Sequence, residues 1–322
     1  MPKLVLMPPL DRRRQAWLPR LHEALPEYVI EAPGSDEEAR ETVRDADAAY
    51  GAVPLNSLKT ANKLRWIQSA QAAPPAGYYY KELIDHPAIV CNPRGVFSDH
   101  IGQHIMMYVL GLARGLPYYM DAQRKREWDK RAGAYNTIDL SVATVLVVGV
   151  GGIGVEAARL CSAFGMKVVG VDGRWEQDPP ACVERHQPEE LNGLLPDADF
   201  VIVTTPHTPA TERMWDKTRF DLMRPTAYFI NIGRGMTTRI DDLASAVEGG
   251  SIAGCGLDVF EIEPLPKDHK LWSLENAILT PHVAVQDAGN VDDRMFDLLV
   301  ENARRFERDE TLRNIVDKTV WF

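Results

Sequence analysis

Val145-Leu146-Val147-Val148-Gly149-Val150-Gly151-Gly152-Ile153-Gly154 decides the fold. A hydrophobic strand runs straight into a G-x-G-x-x-G turn and on into a helix expected over 152–164. Gly149 allows the tight turn, Gly151 lets backbone approach a pyrophosphate, and Gly154 permits close packing of helix on strand. The helix N-terminus adds N–H donors and the positive end of its dipole. The next strand ends in Val171-Asp172, with Asp172 18 residues after Gly154. A carboxylate there accepts hydrogen bonds from adenosine ribose hydroxyls and repels a 2′-phosphate, which favours NAD. Arg174 follows two residues later and leaves NADP open.

Working outward, strands are expected at 144–150, 167–172, 200–204, 227–231, 252–258 and 277–280, with helical segments between them such as 240–247. That alternation describes a doubly wound parallel sheet, whose ligands bind at the carboxyl ends of the strands. Upstream, short apolar pieces at 4–7, 28–30, 48–50, 66–67 and 89–91 alternate with amphipathic stretches, one carrying Trp17, Leu18, Leu21 and Leu25. They predict a second parallel sheet covered on both faces. A helix over 101–112 carries Met106, Met107, Leu110 and Leu112, a broadly apolar pattern that calls for burial, with another subunit as one candidate cover. From about 290 an amphipathic helix follows, with Met295, Leu298, Leu299 and Phe306.

Composition agrees with a globular enzyme-sized chain. The 322 residues suffice for about two domains, with 45% hydrophobic and 25% charged residues. Lys and Arg number 36 against 46 Asp and Glu, a net charge of −10 that disfavours nucleic acid and anionic membranes as partners. Cys91, Cys161, Cys182 and Cys255 form no CxxC pair and sit in or beside apolar sequence, as buried thiols of a reducing compartment do. The Pro-broken N-terminus does not read as a signal peptide and no apolar run approaches the ~18 residues of a bilayer span, so the expected location is the cytoplasm.

Three later segments end strands on the expected ligand face: Asn231-Ile232-Gly233-Arg234-Gly235, Leu257-Asp258-Val259-Phe260-Glu261-Ile262-Glu263, and Leu279-Thr280-Pro281-His282. An Arg, a carboxylate and a His beside a nicotinamide make the set needed to reduce a 2-oxo acid. Arg clamps a carboxylate through two parallel hydrogen bonds. His titrates near neutrality and passes a proton to a carbonyl oxygen as hydride arrives, and a neighbouring carboxylate favours the imidazolium and fixes the ring.

With these motifs the chain resembles the D-isomer-specific 2-hydroxyacid dehydrogenase family over nearly its whole length. The resemblance implies that Arg234 binds the substrate carboxylate, that Glu263 pairs with the acid/base His282, and that these three are the catalytic residues. It places Asp258 beside the nicotinamide, with Thr205, Pro206, Ile232 and Gly233 lining the cofactor cleft next to Gly149, Gly151, Gly152, Ile153, Gly154, Asp172 and Arg174. It also implies a Rossmann-type doubly wound NAD-binding domain, 99–286, inserted in a smaller flavodoxin-like α/β substrate domain, 1–98 plus 287–322. A homodimer built around 101–140 and no metal complete the picture.

Several residues compete with or depart from that pattern. His207, in Thr204-Thr205-Pro206-His207, also follows a strand, but no carboxylate motif accompanies it, so His282 is preferred. His100 and His104 stand at i, i+4 without the glutamate of HExxH and read as buried interface histidines. Arg12, Arg13 and Arg14, like Arg124 and Arg126, read as solvated helix faces. In relatives a glycine-containing loop after the strand near Trp66 holds the substrate carboxylate; here Ala72 and Ala73 stand there, followed by Pro74 and Pro75, which stiffen the loop and remove two donors. Ala72, Ala73 and Arg94 remain the candidate substrate contacts, while Tyr78, Tyr79 and Tyr80 read as core or interface. A non-enzymatic NAD(H)-sensing corepressor or scaffold of the same fold is the rival reading. A formate-dehydrogenase-like relative would carry an amide in place of Glu263.

Overall fold

The computed structural model describes residues 1–74, 77–130, 137–175, 183–286 and 288–321. The chain divides into two compact units, Met1–Val96 with Asp287–Phe322, and Phe97–Gln286.

In the first unit β1 (Lys3–Leu6), β2 (Val29–Glu31), β3 (Ala48–Tyr50), β4 (Trp66–Gln68) and β5 (Ile89–Cys91) form one sheet in the order β2-β1-β3-β4-β5, every pair parallel. This 2-1-3-4-5 order is the flavodoxin-like arrangement. Strands this short are buried because helices cover both faces, so they are nearly all apolar. Trp17, on the helix Trp17–Ala24, is wholly buried and meets Tyr50 and Phe296 edge-on, while Trp66 lies against Phe306. Phe296 and Phe306 belong to the helix Gly289–Glu307, so chain from beyond the second unit completes this core.

Arg14 is not a solvated cation: its guanidinium lies 3.3 Å from Asp292 and 5.1 Å from the Trp17 ring centroid. Its side chain is only 19% exposed, and Trp17 Nε1 donates to the same Asp292 at 2.9 Å. Trp17 is only three residues on, but the acid arrives from distant sequence, so the local basic run gives no sign of it. The three tyrosines pack inward: Tyr79 is buried, and the hydroxyls of Tyr78 and Tyr80 donate to the Gly51 and Val53 carbonyls.

The second unit holds β6 (Thr144–Val148), β7 (Lys167–Val171), β8 (Val183–His186), β9 (Phe200–Val203), β10 (Tyr228–Asn231), β11 (Gly254–Leu257) and β12 (Ala277–Leu279). All pairs are parallel in the order β12-β11-β10-β9-β6-β7-β8, the doubly wound order with its switch between β6 and β9. One core layer carries Leu146, Val201, Phe229 and Leu257; the other carries Val145, Val147, Phe200 and Ile230. The edge strand β8 went unread in the sequence because Val183-Glu184-Arg185-His186 has no apolar run; edge strands carry charge without penalty. The helix Ser98–Ala113 divides its apolar residues between two faces. Met106 and Leu112 are buried in the second layer, but Met107 and Leu110 face outward, 40% and 36% exposed. Among the described residues no helix is long and apolar enough to cross a membrane. Cys91, Cys161 and Cys255 are buried free thiols, and Cys182 and Pro75 lie outside the described residues.

Candidate active site

The glycine turn is built by close approach. β6 stops at Val148 because Gly149 turns with φ +92°, its N–H donating to the Val171 carbonyl at 2.8 Å. A β-carbon on Gly154 would lie 2.0 Å from the Gly149 carbonyl oxygen, so helix and strand touch there backbone to backbone. Gly151 is the opposite case: nothing stands within 4 Å of where its β-carbon would be. Gly151 is also the N-cap of the helix Gly152–Ala163, and no side chain caps that end. The first amides of that helix, those of Gly152, Ile153 and Gly154, therefore keep donors for an anion in an open cradle. Asp172 closes the neighbouring strand end. Its Oδ2 accepts from the Val150 amide at 2.5 Å and its Oδ1 from the Arg174 amide at 2.7 Å, which fixes the carboxylate at the tip of β7. Thr205 Oγ1, at the end of β9, is buried without a hydrogen-bond partner; Pro206 follows it, and Ile232 is buried after β10. An open anion cradle, a fixed acid and an unpartnered hydroxyl fit a dinucleotide.

Arg234 follows β10 on a turn held from within. Asn231, wholly buried, donates to the Arg234 carbonyl and to Thr237 and Thr238 hydroxyls, and accepts from the Gly233 amide at 2.9 Å. Arg234 Nη1 donates to the Gly233 carbonyl at 2.7 Å. Burial pulls the guanidinium below its ordinary value and Glu263 opposes the shift; an arginine starts so high that it stays charged. Gly235 is a site residue the sequence reading missed. The Phe260 backbone lies against it, leaving no room for a side chain, and this contact brings the 258–263 segment onto the arginine turn.

Glu263 and His282 form the acid–base pair. His282 Nδ1 lies 2.8 Å from Glu263 Oε2, and Glu263 Oε1 accepts from the Phe260 amide at 3.0 Å. An ionised carboxylate only accepts, so Nδ1 carries the donated hydrogen and Nε2 is left for proton transfer. Both side chains are open to solvent, 49% exposed for His282 and 38% for Glu263. His282 itself sits at φ +55°, a conformation costing about 1–3 kcal/mol that surrounding contacts must hold.

Asp258 is 1% exposed. Its carboxylate accepts from Thr280 Oγ1 and from the Val283 and Ala284 amides, so its visible role is internal. Glu212 Oε2 lies 3.7 Å from His207 Nε2, too long for a hydrogen bond. The loop between Pro206 and Glu212 folds back to bring them together. His104 turns to Tyr108 and Thr280.

The second unit thus brings together Arg234, Glu263 and His282. The first unit holds Ala72, Ala73 and Arg94. There the Ala72 carbonyl accepts from Asn92 Nδ2 at 2.8 Å, and Arg94 is exposed with its amide on Asn92 Oδ1.

The NAD-binding-domain family described as D-isomer specific 2-hydroxyacid dehydrogenase matches residues 106–284. The glyoxylate reductase of Korarchaeum cryptofilum (strain OPF8) is 32% identical over 312 residues, covering 93% of this chain and 91% of that protein. A D-isomer specific 2-hydroxyacid dehydrogenase from Xanthobacter autotrophicus Py2, solved with NADPH and MES, is 27% identical with a TM-score of 0.83, covering 99% of this chain and 98% of that one. A family protein from Aeromonas salmonicida subsp. salmonicida A449 is 30% identical with a TM-score of 0.79, covering 98% of this chain and 99% of that one.

Proposed function

The chain belongs to the D-isomer specific 2-hydroxyacid dehydrogenases, NAD(P)-dependent oxidoreductases, and from that premise we propose that it reduces a 2-oxo acid to a D-2-hydroxy acid, with NAD(H) preferred. The substrate class is that of the glyoxylate reductases it is similar to. Gly149, Gly151, Gly152, Ile153 and Gly154 would hold the pyrophosphate, and Asp172 with Arg174 the adenosine ribose. Thr205, Pro206, Ile232, Gly233 and Asp258 would line the nicotinamide side. When bound, the reduced dinucleotide supplies the hydride.

The protein's own groups do the rest. Arg234 binds the substrate carboxylate through paired N–H donors and polarises the adjacent carbonyl. His282 gives its Nε2 proton to the carbonyl oxygen as that oxygen gains charge. Glu263, accepting from Nδ1, holds the ring in one tautomer and one orientation. The carrying observation is the 2.8 Å His282–Glu263 pair, with the second Glu263 oxygen tied to the Phe260 amide.

A homodimer on the helices Ser98–Ala113 and Leu116–Lys125 belongs to the same reading. In its support, Met107, Leu110, Leu116, Tyr119 and Met120 expose 36–47% of their surface there, and contiguous apolar area of this kind marks an interface.

The test is oxidation of NADH and NADPH by purified protein across glyoxylate, hydroxypyruvate, pyruvate and branched 2-oxo acids. Turnover with at least one acid is expected, and His282→Ala abolishes it with NADH affinity little changed. No flux with any acid overturns the proposal in favour of a dinucleotide sensor. Loss of flux and NADH affinity together would make His282 a cofactor contact rather than the proton donor.

A further inference from the structure

His104, Tyr108, Asp258 and Thr280 meet in one cluster drawn from three elements, Tyr108 and Asp258 buried and the other two half-buried. His104 and Tyr108 stand one turn apart on the helix Ser98–Ala113, on one face as i, i+4 residues do. Asp258 ends β11 and Thr280 ends β12. Thr280 Oγ1 donates to Asp258 Oδ1 at 2.5 Å. Its one proton is then spent, so toward Tyr108, also at 2.5 Å, it accepts and the phenol donates. The phenol oxygen is left as acceptor for His104 Nε2, 3.1 Å away. The same Nε2 lies 3.0 Å from Thr280 Oγ1, so the imidazole N–H reaches both hydroxyls, and donation from His104 and Tyr108 converges on Thr280 and ends on the Asp258 carboxylate.

The end of that chain is the turn carrying His282. Asp258 Oδ1 also accepts from the Val283 amide at 2.9 Å, and Oδ2 from the Ala284 amide at 3.1 Å. One buried carboxylate thus grips Thr280 before His282 and two amides after it. Between those grips His282 keeps its φ of +55°, which a non-glycine residue holds only when its surroundings impose it. Tyr108 has a seat made for it as well. A β-carbon on Gly256, in β11, would lie 2.7–2.9 Å from Tyr108 Cγ, Cδ1 and Cβ, so the ring occupies the place of a missing side chain. Burial favours neutral forms of both partners, pushing His104 down against the pull of Asp258 and the Tyr108 phenol up. A neutral imidazole with hydrogen on Nε2 is what the donor chain requires.

We propose that Tyr108, backed by His104, is a positioning residue for proton transfer: through Thr280 and Asp258 it holds the turn that sets His282 against Glu263. The inference rests on the proposed acid/base role of His282. A phenylalanine would fill the same apolar seat, so the hydroxyl and its histidine serve the turn rather than the packing.

The test compares wild type with Tyr108→Phe, His104→Phe and His104→Gln in the full chain. It reads kcat and KM for the reduced acid, NADH affinity by fluorescence, the thermal midpoint, and the rate of diethyl pyrocarbonate modification at His282 by peptide mass spectrometry. Tyr108→Phe is expected to lower kcat about tenfold, as small misplacements of reacting groups do, with KM, NADH affinity and thermal midpoint near wild type. Modification of His282 speeds up in parallel because the turn is released. His104→Gln, which keeps a donor at that point, loses less than His104→Phe. A His282 modification rate in Tyr108→Phe equal to wild type overturns the inference, as does a drop in thermal midpoint with kcat unmoved. Should wild type reduce no acid, the proposed function falls, and the His282 modification rate still decides the positioning. Should Tyr108→Phe fail to fold, the two His104 variants decide it by the same readings.

Discussion

The carbonyl carbon of Phe260 stands 1.9 Å from the point where a β-carbon on Gly235 would lie. The neighbour is backbone, so it cannot swing aside as a flexible side chain does. Glu263 takes its position from the Phe260 amide and passes it to His282, which makes this contact the joint between the arginine turn and the acid–base pair. Gly235→Ala is expected to destabilise the second unit by about 1–3 kcal/mol and to cut turnover more than the stability loss accounts for. Thermal melts with steady-state kinetics check it, and wild-type kcat in a folded variant would contradict the role given to the contact.

Asp172 fixes a negative charge at the tip of β7, both its oxygens already accepting backbone amides. A 2′-phosphate brought there meets that charge. Asp172→Ser is expected to raise the ratio of kcat/KM for NADPH over NADH by about tenfold, the equivalent of about 1.4 kcal/mol. An unchanged ratio would place cofactor choice elsewhere.

Acid should weaken the fold in a window set by two histidines. Burial lowers His86, with Lys318 adding to it, and burial lowers His104. Above their ordinary value of about 6.5 both are neutral whether the chain is folded or not, so their contribution is fully present. As pH falls through that value the unfolded chain binds protons first, and stability declines toward the lower folded values. Urea melts at pH 7.5, 6.5 and 5.5 should show the decline, and the double variant His86→Asn with His104→Gln should flatten it. An equal slope in both proteins would sink the assignment.

Burial pushes the thiols of Cys91, Cys161 and Cys255 up to about 12 each. At pH 8 they hold almost no thiolate, the reactive form. Peptide mapping after treatment with DTNB should find these three unlabelled in the native protein and labelled in urea. Rapid native labelling at any of them would contradict their burial.

What the sequence made legible was what it writes locally. The glycine turn with its flanking strand and helix, and the Arg, Glu and His just past strand ends, are short patterns whose physics needs no distant partner. The structure puts Arg234, Glu263 and His282 in one unit with His282 paired to Glu263. What escaped depends on residues meeting across the fold. Nothing near Arg14 announces Asp292, and nothing near Gly235 announces Phe260. His104 looked like an interface histidine beside His100 because Thr280, which it meets, is 176 residues further on.

The first unit is stitched across the two ends of the chain. Asn302 Nδ2 donates to Gln68 Oε1 at 2.9 Å, the wholly buried Trp17 donates to Asp292, and Ile315 bridges to Cys91. On the ribosome, residues 97–286 emerge before any of these late partners exist. The nucleotide unit can therefore close its sheet while the earlier-made strands β1 to β5 still wait. A chain stopped short of residue 288 would keep its glycine turn but leave Trp17 and Gln68 without the groups that satisfy them.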